Sequence, residues 1–182
     1  MKIMVATYSE TGNTQSIAEA VRDELLSQGH EVDLKRINDL GAGWLNGYDM
    51  AFVGSACHSS DVARPVKTAL AALEPSAGLR LAGFVTHSTF LPEGGERQRE
   101  LYETWAGACP KTFERVCQEK GFVWCGYFSC QGAPSPPIEA MIEREILTEL
   151  EEWQTYVVEV RQHPNEADKS KARAWARSML AV

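Results

Sequence analysis

The residues best suited to chemistry come early in the chain, where Tyr8-Ser9-Glu10-Thr11-Gly12-Asn13-Thr14 lies between an apolar run and the first helical pattern. The backbone N–H groups of such a turn point inward. The hydroxyls of Ser9, Thr11 and Thr14 and the Asn13 amide add donors, and a helix N-terminus adds a dipole that favours an anion. The turn contains no Lys or Arg. A di- or triphosphate with Mg²⁺ calls for the Lys and glycines of G-x-x-x-x-G-K-[ST], which are absent, so one phosphate monoester held by dipoles suits this loop better. Ser, Thr and Asn are also favoured helix caps, and a capped turn without a ligand is the plainer alternative. Its place directly after the first strand of a parallel sheet decides for phosphate.

Other constellations carry less. Cys57 beside His58 pairs two ligand types, but two adjacent residues are weak grounds for a metal or a reactive thiolate, and no metal ligand is assigned. Ser, His and Asp occur together in residues 54–61 without a G-x-S-x-G elbow, so no catalytic residue is assigned. Gly41-Ala42-Gly43-Trp44 precedes a strand rather than following the first one, and reads as a linker. Cys109 and Cys117 share a helical face with Trp105 and Phe113, which suits small apolar filling. His30 and His163 fall at helix ends, exposed or capping. The acidic stretch 139–152 reads as the wet face of a helix, and such a surface also steers basic redox partners.

The elements that must position the loop follow from periodicity. Apolar, β-branched segments of strand length occupy residues 2–7, 51–55, 80–86 and 122–129, with a weaker alternating one at 31–37. Consecutive apolar residues, as in Ile3-Met4-Val5-Ala6, suit strands covered on both faces of a parallel sheet. Helical patterns lie between them at 14–28, 63–73 and 95–120, the last divided by Pro110. Ser135-Pro136-Pro137 starts a helix whose apolar stripe runs unbroken through Ile138, Ile142, Ile146, Leu150, Trp153, Val157 and Val160. His163-Pro164 ends it, and Asn165 caps a final helix to about Leu180 with Trp175 and Met179 on its apolar side. Alternating strands and helices imply right-handed crossovers and a doubly wound α/β sandwich.

Ser9-Glu10-Thr11-Gly12-Asn13-Thr14 closely resembles the [ST]-x-T-G-N-T phosphate loop of flavodoxins, which holds the 5′-phosphate of FMN. The resemblance extends over residues 1 to about 162. It implies a five-stranded parallel sheet in the order 2-1-3-4-5 with FMN at the switch point. The domain is then a single one over 1–182, with a core at 1–162 and a C-terminal helical extension at 163–182. The ring of FMN would lie between the segments containing Ser55, Ala56, Cys57 and His58 and Thr86, His87, Ser88, Thr89 and Phe90. Short-chain flavodoxins usually place a Trp where His58 stands; Phe90 offers an aromatic on the other side, with Trp44 and Trp124 as further candidates. Residues 130–134 leave the last strand on the same sheet edge, where they either flank the site or simply turn into the next helix.

The resemblance implies an FMN protein that carries electrons between redox partner proteins, a reductase and an acceptor. The alternative is an NAD(P)H-dependent FMN or quinone oxidoreductase on the same fold, although the chain has no dinucleotide fingerprint after a strand and no basic cluster for a 2′-phosphate. A third reading is a partner-binding module that has lost FMN. Composition agrees with a globular domain: 182 residues, 44% hydrophobic and 24% charged. The formal net charge of −7 argues against nucleic acid as a partner. No apolar run is long enough for a membrane span, and the N-terminus does not read as a signal peptide. Five cysteines without a C-x-x-C pair suit reduced thiols in the cytoplasm.

Overall fold

The computed structural model describes residues 1–181. Five parallel strands form its centre: β1 (Lys2–Tyr8), β2 (Glu31–Arg36), β3 (Met50–His58), β5 (Arg80–His87) and β6 (Val123–Gln131). Their spatial order is β2-β1-β3-β5-β6, the expected 2-1-3-4-5, and a two-residue strand β4 (Asp61–Val62) turns back antiparallel onto β3. β3, β5 and β6 each run past their expected ends, because the parallel ladder continues through Ala56↔Thr86 and His87↔Gln131.

Side-chain alternation along the strands divides the core into two layers. Met4, Ala6, Ala51, Val53, Leu81 and Val85 pack on one face against α2 (Arg64–Ala71) and α4 (Cys109–Lys120). Ile3, Val5, Met50, Phe52, Ala82 and Phe84 pack on the other against α1 (Asn13–Ser27) and α7 (Glu166–Met179). Successive residues therefore need apolar side chains in both directions, which is why the strands read as unbroken apolar runs.

Pro110 does not itself break the 95–120 span. It sits in the first turn of α4, where its missing N–H is harmless, and the break falls between α3 (Glu96–Trp105) and α4.

The stripe after Ser135 is not one helix. It forms α5 (Pro136–Glu145) and α6 (Leu150–Val160), and Leu150, assigned to the buried stripe, is 68% exposed. The break lets Leu147 turn inward, where it joins Ile142, Trp153, Tyr156 and Val160 in a separate apolar cluster with Phe90 and Leu101. Two acids of the supposed wet face are pinned by arginines: Glu152 by Arg97 of α3, and Glu139 by Arg161.

The final helix is more central than an extension. Ala172 and Ala176 are fully buried, and the Trp175 indole meets the rings of Phe52, Phe84 and Phe128 with centroids 5.5, 6.3 and 5.6 Å away. Arg177 Nε donates to Glu24 Oε1 of α1 at 2.8 Å. At the other end Asn165 Oδ1 accepts from Ala167 and Asp168 N–H, while Asp168 Oδ2 accepts from Asn165 N–H, a reciprocal capping box. His163 is held in the same cap, 2.5 Å from Asp168 Oδ2. Placing the core at 1–162 thus leaves out a helix that closes one face of the sheet; the segment lying off the sheet is α5–α6.

Trp175→Ala is expected to lower the unfolding free energy by about 3 kcal/mol, the lower end for emptying an aromatic core site. Urea denaturation measures it. A loss below about 0.5 kcal/mol, the usual size for a surface change, would make α7 peripheral.

Candidate functional site

A cavity of about 490 Å³ opens at the carboxyl ends of the strands. Eleven of the fifteen residues picked from sequence line it: Glu10, Thr11 and Asn13 from the first loop, Ala56, Cys57 and His58 from β3, and Thr86, His87, Ser88, Thr89 and Phe90 from the end of β5 and its loop. Ser9, Gly12, Thr14 and Ser55 do not line it and act as props. Ser9 Oγ accepts from Gly12 N–H at 3.1 Å, and Gly12 turns the chain into α1 at φ +91°, a left-handed conformation that favours glycine. The Thr14 and Thr86 hydroxyls, 2.8 Å apart and buried, tie the start of α1 to β5. Ser55 Oγ accepts from Ala63 N–H at 2.8 Å.

The first loop presents donors to the cavity. No side chain caps α1 and no acid sits in its first turn, so the N–H groups there have no side-chain partner. Glu10 would oppose an anion, but its carboxylate is held by other groups: Tyr8 OH donates to Oε1 at 2.6 Å, and His58 Nε2 lies 3.4 Å from Oε2. That carboxylate also pushes the Tyr8 phenol above its usual range. The Asn13 amide is already used, donating from Nδ2 to Ala133 O at 2.8 Å. This contact requires glycine next door, since a Cβ on Gly132 would lie 2.7 Å from Asn13 Nδ2. Residues 132–134 line the cavity, which answers the question left open for that segment.

Hydrogen bonds stitch the opposite wall to the same segment. Gly132 N–H donates to His87 O at 2.9 Å, Ser88 Oγ to Gly132 O at 3.0 Å and Gln131 Nε2 to Thr89 O at 3.1 Å. Tyr156 OH of α6 donates to Ser88 O, and its ring packs on Phe90 at 5.2 Å. His87 itself is buried, edge-on to the Tyr102 ring at 5.3 Å, and among the described residues neither of its ring nitrogens has a hydrogen-bond partner. Burial without a compensating anion pushes its pKa down to about 4.

Several lining residues escaped the sequence reading. Trp44 instead packs over α2, its Nε1 3.4 Å from Ala69 O, and Trp124 stacks on Phe113; neither lines the cavity. The tryptophan that does is Trp105, from α3. Leu101, Ile138, Met141, Ile142, Ile146, Leu147 and Tyr156 form an apolar roof over the hollow. Only the break between α5 and α6 could have signalled it, and no Gly or Pro marks that break.

A parallel sheet whose connections reverse between β1 and β3, with a cleft at that reversal, defines an open doubly wound α/β protein with its ligand site at the switch point. The chain belongs to the flavodoxin domain family, whose model matches residues 4–177. Similar solved structures include oxidised flavodoxin 2 from Bacillus cereus, at 20% identity and a TM-score of 0.67, with 100% of this chain and 99% of that one covered. A flavodoxin from the domain Archaea is similar at 16% identity and a TM-score of 0.63, covering 100% and 97%. Rubredoxin oxygen:oxidoreductase from Desulfovibrio gigas matches at 13% identity and a TM-score of 0.66 over 99% of this chain and 35% of that one. At these identities the likeness concerns the fold. No curated protein matches the chain. Among the described residues no helix is long and apolar enough to cross a membrane.

The state of His87 predicts a pH dependence. Its pKa falls from 6.5 in the unfolded chain to about 4 in the fold, so between these values the unfolded chain binds a proton that the fold excludes. Stability is therefore full above pH 6.5 and declines as pH falls, by about 3 kcal/mol at pH 4. Between pH 7.5 and 4 the unfolding free energy from urea titration should fall about 3 kcal/mol further in the wild type than in His87→Leu. Parallel pH dependences would show that His87 is not buried neutral.

Proposed function

We propose that the chain binds one FMN in this cavity and carries electrons between two redox partner proteins, a reductase and an acceptor. The observation that supports this most is the uncapped N-terminus of α1, opening into the cavity at the switch point. Bound FMN would supply the one- and two-electron chemistry, and the protein would hold, shield and tune it. In this reading the Thr11 hydroxyl and the first N–H groups of α1 hold the phosphate, with the helix dipole standing in for a cation. Gly12, Ser9 and the Thr14–Thr86 pair keep the loop in shape. Small and hydroxyl-bearing residues at 55–57 and at 86, 88 and 89 let backbone approach a flat ring. His58, kept near Glu10, stands beside it in place of an aromatic wall. The formal net charge of −7 suits docking to basic faces of the partners, and five free thiols suit a cytoplasmic site of action.

The apolar roof formed by α5 and α6 favours a second reading, an NAD(P)H-dependent FMN or quinone oxidoreductase, because it offers an apolar acceptor room next to the ring. Anaerobic stopped-flow absorbance separates the two. Slow bleaching by NAD(P)H that accelerates on adding a reductase supports the carrier; rapid, saturable bleaching by NADH or NADPH alone supports the oxidoreductase.

Thr11→Ala should weaken FMN binding by roughly 10- to 150-fold, the loss of one charge-assisted hydrogen bond at about 1.5–3 kcal/mol. Riboflavin, which has no phosphate, should be little affected. Asn13→Ala should weaken both ligands, because it frees residues 132–134 from the loop. Fluorescence titration measures all four combinations, and equal losses for Thr11→Ala with FMN and riboflavin would remove the phosphate from this loop.

A further inference from the structure

We propose that Cys57 and Cys109, which meet at the cavity wall, form a redox-active dithiol that reduces low-molecular-weight disulfides by thiol–disulfide exchange. Their sulfurs lie 3.6 Å apart although the residues are 52 positions apart in sequence. A disulfide needs about 2.05 Å, so closing the bond brings the sulfurs roughly 1.5 Å nearer. The meeting is held by backbone. Ser59 and Ser60 turn at φ 50° and 70°, Ala108 N–H donates to Ser60 O at 3.2 Å, and Ser60 Oγ donates to Thr104 O at 2.5 Å. These bonds fasten the end of β3 to the α3–α4 junction, where Cys109 begins α4.

The two sulfurs differ in access. Cys57 is half-buried and lines the cavity, whereas Cys109, Cys117, Cys125 and Cys130 are buried. Cys57 is therefore the attacking sulfur, and Cys109, whose thiol faces Cys57 from behind, is the resolving one. The hydrogen bond to Cys57 and burial push the Cys109 thiol well above its ordinary range, so it keeps its proton until it is needed.

The exchange balances in two steps. Cys57, as thiolate, attacks one sulfur of a disulfide RSSR; a Cys57–SR bond forms, the RS–SR bond breaks, and RS⁻ leaves and takes up the proton that Cys57 gave up. Cys109 then attacks the Cys57 sulfur and passes its proton to the second departing RS⁻. Two protein thiols lose two electrons in all, and RSSR becomes two RSH. Cytosolic disulfides, where they occur, are commonly transient and redox-active, which suits such a pair. The new bond would draw Cys57 from the Trp105 carbonyl, which it now meets at 3.2 Å, and so reshape the wall formed by residues 56–58.

Peptide mapping by mass spectrometry after treating the full-length native protein with glutathione disulfide tests the assignment. The expected product is a single Cys57–Cys109 linked peptide pair with Cys117, Cys125 and Cys130 still alkylatable. Cys109→Ser should stop at a stable glutathione adduct on Cys57, and Cys57→Ser should form neither adduct nor link. Should either variant fail to fold, the wild-type map decides alone. A native protein that yields no Cys57–Cys109 link, or that accumulates the Cys57 adduct without resolving it, overturns the proposal.

Discussion

A parallel sheet hides both of its faces, and the rest of this molecule follows from how that covering is arranged. Ile3, Met4, Val5 and Ala6 are all buried because β1 has helices above and below it. The chain leaves β1 in one direction to reach β2 and returns on the other side to reach β3. The connections diverge at that point, and the carboxyl ends of β1 and β3 cannot be covered by either. The cleft is thus a consequence of covering the strands.

What the cleft can hold is decided by electrostatics in the loop after β1. The start of α1 carries partial positive charge and no side-chain cap, and the carboxylate of Glu10 beside it is occupied by Tyr8 and His58. The same loop is fixed from behind by side-chain bonds of its own residues. Asn13 serves Ala133, and Thr14 serves Thr86. Some residues of the motif thus face the cavity, and the rest give the loop its shape. Across the cavity the loop after β5 is bonded to 131–132 and to Tyr156, so the opposing walls share one hydrogen-bonded frame.

The α5–α6 segment adds something the sheet does not require. Its own apolar cluster, around Leu147 and Trp153, lets it stand beside the sheet and roof the cavity, while α7 returns to the layer with α1. The aromatic contacts of Trp175 with Phe52, Phe84 and Phe128 come from three strands of one face, which fixes where α7 must lie. Met141, Ile142 and Ile146 line the cavity on that side.

The linear order of residues determined the strands, the crossovers and the donor-rich loop after the first strand, because each is a local signal. Apolar runs report two-sided burial, and Ser9 to Thr14 report a strand-to-helix turn rich in donors. Strand order followed from the resemblance, and the sheet bears it out. Tertiary structure decided which of those residues face the cavity and which brace it. Thr14 carries the same hydroxyl as Thr11, and only its meeting with Thr86 across 72 positions makes it a brace, while Thr86 still lines the cavity. The break at 146–149 was illegible for a similar reason. Its residues are compatible with helix, and the gain from burying Leu147 arises only once Phe90, Leu101 and Tyr156 are present to receive it. The approach of Cys57 to Cys109 is of the same kind, since a contact between distant residues depends on the packing of elements that neither residue specifies alone.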